Sequence, residues 1–274
     1  MKMKWYVNLV VLVSALIGLS AFAQEQVSDK FSLEFSDPSK PGFLKVGLTY
    51  GSITVRGYDG TEVIIESVYR NKENRESRQR KSKGMYVIPN TSMGLTIEEE
   101  DNKMKISGHG NSRSNLIIDV PVSTSLRIST VNGGDIVVEN IEGEIEANNT
   151  NGGIKITEVS GAVIANTTNG NVIVSFVNVK PNKAMSFISF NGKVDITFPP
   201  NIKADLILKT QNGNIYSDFE IEVKRTVRRI EESPRRKGGK YKVKLEGDMV
   251  GKLNGGGPEM HLSTYNGSIY IRKN

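Results

Sequence analysis

The chain has no cysteine and only two histidines in 274 residues. Without cysteine there are no disulfides, the usual staple of small exported domains, no thiol nucleophile, and no site for a lipid anchor. The histidines offer little catalysis. His109 lies near Ser107, Ser112 and Ser114, a set that could supply a nucleophile and base, but a flexible Gly-Ser loop explains the same letters. His261 falls between inward Met260 and Leu262, which turns it to solvent. Acids cluster densely only at Glu98-Glu99-Glu100-Asp101; these could offer oxygen ligands to a hard cation but read as a solvated hairpin tip. The Gly-Gly-x-Gly-x-Asp repeat of calcium-binding coils is absent. Asn254-Gly255-Gly256-Gly257-Pro258 lacks the Gly-Lys-Ser/Thr and the helix of a phosphate loop, and reads as a turn. The residues point to no catalytic group, no metal and no cofactor.

Long apolar runs are equally scarce. The single one, Val7 to Leu19, follows Lys2 and Lys4 and precedes Ala21-Phe22-Ala23. This is the pattern of a secretory signal peptide over residues 1–23, cut before Gln24, and it is short of the ~20 residues that span a bilayer. With 23 of the 274 residues removed, 251 remain, enough to bury a core without disulfides. The sequence predicts an exported protein of periplasm, outer envelope or cell surface, with no transmembrane segment after cleavage. Residues 24–42 read as a lead strand and linker, and 43–274 as one domain.

Charge is uneven. Net charge is +6 over the full chain. Arg70 to Lys83 carries seven bases and two acids, and Lys224 to Lys242 carries nine and two, so the rest of the chain is acidic. Arg228, Arg229, Arg235, Arg236 and Lys237 form the densest cationic patch. Outside the inner membrane such a patch would meet anionic envelope glycans or another surface protein, not nucleic acid. The bland reading is that these charges keep a long hairpin soluble.

What the chain has in abundance is a repeat. Ile136, Ile154 and Val172 lie 18 residues apart, as do Val138, Ile156 and Val174, then Ile141, Val159 and Val177. Each unit carries two short alternating stretches, so two half-buried strands. The corners are Asn132-Gly133, Asn151-Gly152, Asn169-Gly170, Asn191-Gly192, Asn212-Gly213 and Asn266-Gly267, since both residues tolerate positive φ. The predicted inward set is Ile136, Val138, Ile145, Ala147, Ile154, Ile156, Val163, Ala165, Val172 and Val174. A unit so small must stack on its neighbours. The expected fold is therefore all-β: a β-solenoid or β-helix-like stack, with equivalent residues about 4.8 Å apart and the corner asparagines forming a ladder. The alternative treats each Asn-Gly as a hairpin turn and gives an antiparallel sandwich or meander.

Around the repeat, Phe43 to Tyr69 reads as a first rung, Arg70 to Lys83 as a loop, Leu95 to Ile106 as a hairpin, and Pro121 as a strand stop at a corner or edge. The closing corner and strand, Asn266 to Ile271, suggest that the last rung caps the stack.

Three stretches carry a resemblance: Tyr50-Gly-Ser-Ile-Thr-Val with Gly57-Tyr-Asp-Gly60; Ile118-Asp-Val-Pro121 through Leu126-Arg-Ile-Ser-Thr-Val-Asn-Gly133; and Leu253-Asn-Gly-Gly-Gly257 with Ser263-Thr-Tyr-Asn-Gly-Ser-Ile-Tyr-Ile271. In that order they resemble the bacterial family named putative adhesin, a domain of unknown function built of β-strand repeats. The resemblance implies an exported all-β repeat protein and brings no catalytic motif. The preferred function is a non-enzymatic envelope or surface protein that binds or scaffolds through an extended face, lined by outward Asp135, Glu144, Lys155, Asn171, Asp195 and Asn214. The alternative is a periplasmic carbohydrate-active enzyme, which requires two carboxylates about 5 to 9.5 Å apart in a groove. A regulatory partner protein of the envelope is neither supported nor contradicted.

Overall fold

The computed structural model describes residues 27–69, 81–82, 85–86, 94–108, 115–179, 183–231 and 243–274. The segment expected to be a signal peptide and most of Arg70 to Lys83, expected to be a loop, lie outside them. Among the described residues every regular element is a strand: β1 (Val27–Glu34), β2 (Phe43–Tyr50), β3 (Ile53–Tyr58), β4 (Glu62–Tyr69), β5 (Lys81–Ser82), β6 (Met85–Tyr86), β7 (Leu95–Glu100), β8 (Lys103–Gly108), β9 (Asn115–Pro121), β10 (Ser125–Asn132), β11 (Ile136–Glu139), β12 (Ile145–Asn151), β13 (Ile154–Val159), β14 (Val163–Asn169), β15 (Val172–Phe176), β16 (Met185–Asn191), β17 (Val194–Phe198), β18 (Ala204–Asn212), β19 (Ile215–Ser217), β20 (Glu222–Glu231), β21 (Val243–Leu253), β22 (Glu259–Asn266) and β23 (Ile269–Lys273).

All but β5 and β6, which pair with each other, form two large mixed sheets that enclose one core. The first runs β1-β4-β9-β3-β11-β13-β15-β17-β23-β19, and the second β20-β21-β18-β22-β16-β14-β12-β10-β2-β8-β7. The Asn-Gly pairs close no hairpins: each hands the chain from the second sheet to the first. Alternation then puts one face of every strand inward. Ile53, Ile136, Ile154, Val172, Val194, Ile269 and Ile215 occupy one row on seven parallel strands. Opposite them Val46, Ile128, Ala147, Ala165, Phe187, Leu262 and Leu208 form another. The whole inward set read from the sequence is buried. Phe187 of the second sheet meets Phe176 and Phe198 of the first edge to face, with centroids 6.3 and 6.5 Å apart, an arrangement the ring quadrupole favours.

One row departs from the 18-residue rule. Ile141 and Val159 are buried, but Val177 is 66% exposed and Phe176 takes the inward place. Asn140 and Glu158 have φ of 56° and 58°, a left-handed residue that shifts the alternation by one position. Phe176 has no such backbone and keeps its phase, so Val177 turns outward.

The order of the strand pairs also departs from expectation. β2 and β3 do not end the stack, because β8 and β9 lie outside them. The last pair, β22 and β23, is not a cap: it lies between β16/β17 and β18/β19. The outer edge of β18 is already covered by antiparallel β21, so the returning chain enters on the inner side. Antiparallel strands close most of the remaining edges, β7 on β8, β4 and β1 beyond β9, and β21 and β20 beyond β18, which blunts the exposed edges that invite chain-to-chain pairing. Pro121 is the last residue of β9, two beyond its last pairing with β4 and opposite Tyr58 at the end of β3, a strand terminus as the sequence suggests.

Candidate functional site

The corners are built twice over. On the outside, Asn151 Nδ2 donates to Asn132 Oδ1, Asn169 to Asn151, Asn191 to Asn169, Asn266 to Asn191, and Asn212 to Asn266, at 2.7 to 2.8 Å. On the inside, the residue two places before each asparagine donates to a glycine carbonyl of the neighbouring corner: Thr130 to Gly51, Asn149 to Gly134, Thr167 to Gly152, Ser189 to Gly170, Thr264 to Gly192 and Thr210 to Gly267, at 2.7 to 3.0 Å. Sequence reasoning missed this inner clamp. Its signal is present in all six corners as Thr, Ser or Asn, any residue, then Asn-Gly.

These clamps hold the outer face of the second sheet in register. Ser129, Asn148, Asn166, Ile188, Ser263 and Lys209 form one outward row. One position nearer the corners stand Thr168, Phe190, Tyr265 and Gln211. Phe190 and Tyr265 are each 48% exposed and stack face to face with centroids 4.9 Å apart at 5°. A depression of about 750 Å³ runs over β12, β14, β16, β22 and β18, lined by amides, hydroxyls, these two rings, Ile188 and Lys209. No carboxylate lines it, so the paired acids of a glycosidase are not in this groove. The amide row breaks within it. Asn166 Nδ2 donates to Asn148 Oδ1 at 3.1 Å, but the next position is Ile188, and Asn166 Oδ1 has no donor among the described residues. Asn149 Oδ1 is likewise unmatched.

The first sheet's outer face is charged. Asp195, expected on the display face, is a correction: it is 7% exposed, held by Arg272 at 2.6 and 3.2 Å and by Lys193 at 2.9 Å. Burial opposes its ionisation, but these two cations together hold its carboxyl below the usual carboxylate range. Tyr270 stacks on Tyr216 at 5.0 Å, with the Arg272 guanidinium 5.1 Å from its ring. The other five residues assigned outward, Asp135, Glu144, Lys155, Asn171 and Asn214, are exposed. They do not form one face: Asp135, Asn171 and Asn214 sit at the Asn-Gly corners, Glu144 at the opposite turn beside Lys183, and Lys155 on β13.

Arg228 and Arg229 lie on β20 opposite Glu246 and Leu245. Their side chains, and all of Arg235, Arg236 and Lys237, fall outside the described residues, as does His109. His261 is half-buried on the outer face of the second sheet. Glu99, in the acidic run, accepts from Ser36 N and Oγ and from Asn102 N, tying the lead segment to the β7–β8 turn. Among the described residues no three His, Cys, Asp or Glu side chains gather as a metal site, and no helix is long and apolar enough to cross a membrane.

No protein-family model matches the chain, and no curated protein does either. Among solved structures, a putative cell adhesion protein from Clostridium sporogenes ATCC 15579 is 14% identical, with a TM-score of 0.46 over 91% of this chain and 100% of that one. A putative adhesin from Bacteroides fragilis NCTC 9343 is 11% identical, with a TM-score of 0.38 over 92% and 99%. A putative lipid binding protein from Parabacteroides distasonis ATCC 8503 is 11% identical, with a TM-score of 0.27 over 89% and 96%.

Proposed function

We propose that this is an exported, non-enzymatic surface protein of adhesin type, in which a short β-solenoid displays a binding face. The observation that carries the reading is the contrast between the two faces of the second sheet. Its inner face is a closed apolar core, while its outer face holds register-aligned amides, hydroxyls and stacked aromatics around an open depression. Contiguous exposed aromatic surface on a protein marks a place of contact. In this reading residues 1–23 are a signal peptide and 24–274 the mature chain. The basic hairpin, with Arg228, Arg229, Arg235, Arg236 and Lys237, is a second contact for anionic envelope glycans.

Two measurements test this. Cells expressing the full chain should show it by antibody labelling without permeabilisation; retention inside the cell refutes the reading. Pull-down on isolated envelope by the basic hairpin should weaken steeply with salt and be lost when the five cations are neutralised. Binding that ignores salt removes the anionic-glycan contact.

A further inference from the structure

We infer that the depression on the second sheet binds a neutral glycan chain, an assignment that rests on the surface-binding reading and names its ligand. Phe190 and Tyr265 stand on neighbouring strands and stack across them, so each ring has one covered face and one open one. The open face of Phe190 looks along the row toward Thr168, and that of Tyr265 toward Gln211, both small or flexible polar neighbours. A pyranose ring presents a face of C–H bonds that fits such a surface, with hydroxyls at its rim.

The rim chemistry matches hydroxyls. Asn148, Asn166, Thr168, Ser263 and Gln211 offer donors and acceptors of both kinds. Asn166 Oδ1, beside Ile188 in the outward row, is an acceptor without a donor among the described residues, which a ligand hydroxyl could supply. Charge argues against an acidic polymer here. The single charged lining residue, Lys209, has Asp248 Oδ1 3.7 Å from its Nζ. The shape argues for a chain and not a small molecule: the depression crosses five strands, about 19 Å at the usual spacing, and is open along its length.

The test is affinity electrophoresis of the exported full-chain product through gels containing dextran, hydroxyethyl cellulose or galactomannan, with alginate as the acidic arm. At least one neutral polymer should retard the protein, equally at low and high salt. Phe190→Ala/Tyr265→Ala should weaken this about tenfold or more. Thr168→Trp, which fills the open face of Phe190, should do the same, while Tyr265→Phe retains it. Matching circular dichroism and melting curves show that the variants are folded. Retardation by alginate alone, by none of the polymers, or by a neutral polymer regardless of Phe190 and Tyr265 overturns the assignment. A protein that is displayed on cells but ignores every neutral polymer fails here while leaving the adhesin reading standing; one never displayed fails the latter.

Discussion

Phe187 and Phe190 lie three residues apart on β16, on opposite faces, and their truncation should differ sharply. Phe187 is fully buried and contacts two further rings edge to face. Phe187→Ala removes a whole buried side chain and leaves a cavity between the sheets, at about 3–5 kcal/mol. Phe190 is 48% exposed and has one stacking partner. Phe190→Ala forfeits part of its transfer energy and that stack, about 0.5–1.5 kcal/mol. The only tryptophan is Trp5, inside the proposed leader, so unfolding is followed in urea by far-UV circular dichroism. With a slope of about 2–3 kcal/mol/M, the midpoint should fall by about 1–2.5 M for Phe187→Ala and by less than about 0.8 M for Phe190→Ala. Equal shifts, or a fall below about 0.5 M for Phe187→Ala, would refute a single continuous core between the sheets. A broadened transition in Phe187→Ala alone would show instead that the stack loses cooperativity, as repeat arrays can.

The asparagine ladder predicts a position effect: Asn169→Ala breaks two amide bonds and Asn212→Ala one. At about 0.5–1.5 kcal/mol per bond, the first should cost about twice the second in the same urea assay, and equal costs would dismiss the ladder. Gly161→Ala would drive a Cβ into the carbonyl oxygen of Gly143; a cost of at least about 1–3 kcal/mol is expected, and a neutral melting temperature would contradict that close approach. Acid should destabilise the fold. Side-chain hydrogen bonds from Lys40 and Ser39 hold Asp37 down to about 2, Ser36 holds Glu99 low, and Asp195 is lowered as well, its burial outweighed by Arg272 and Lys193. Folded values below unfolded ones give stability that is complete above about pH 4 and lost as pH falls through the folded values. Asp195→Asn should lower stability at neutral pH and flatten the acid limb of the melting profile; an unchanged limb would exclude Asp195 as a contributor.

The 18-residue interval makes much of the core legible, because in-register parallel neighbours must repeat the same inward letters. Ile136, Ile154 and Val172 share a row for that reason. Alternation also turns His261 outward, where it is half-buried. The 18-residue interval does not register the left-handed Asn140 and Glu158, which is why Ile141 and Val159 are buried while Val177, at the same interval, is exposed. Nor does it rank the strand pairs. Each pair presents nearly the same edge to its neighbours, so the pattern fits any place in the stack.

What the sequence by itself determined is thus the local unit: two alternating strands, a flexible corner, and polar groups that bond to the next corner. Only the tertiary structure decided the order, by covering the edge of β18 with β21 and admitting β22 and β23 one place further in. That insertion sets Tyr265 against Phe190, Tyr270 against Tyr216, and Arg272 against Asp195 across 77 residues. The candidate site follows from it, since contacts between distant segments depend on which edge is free when the chain returns.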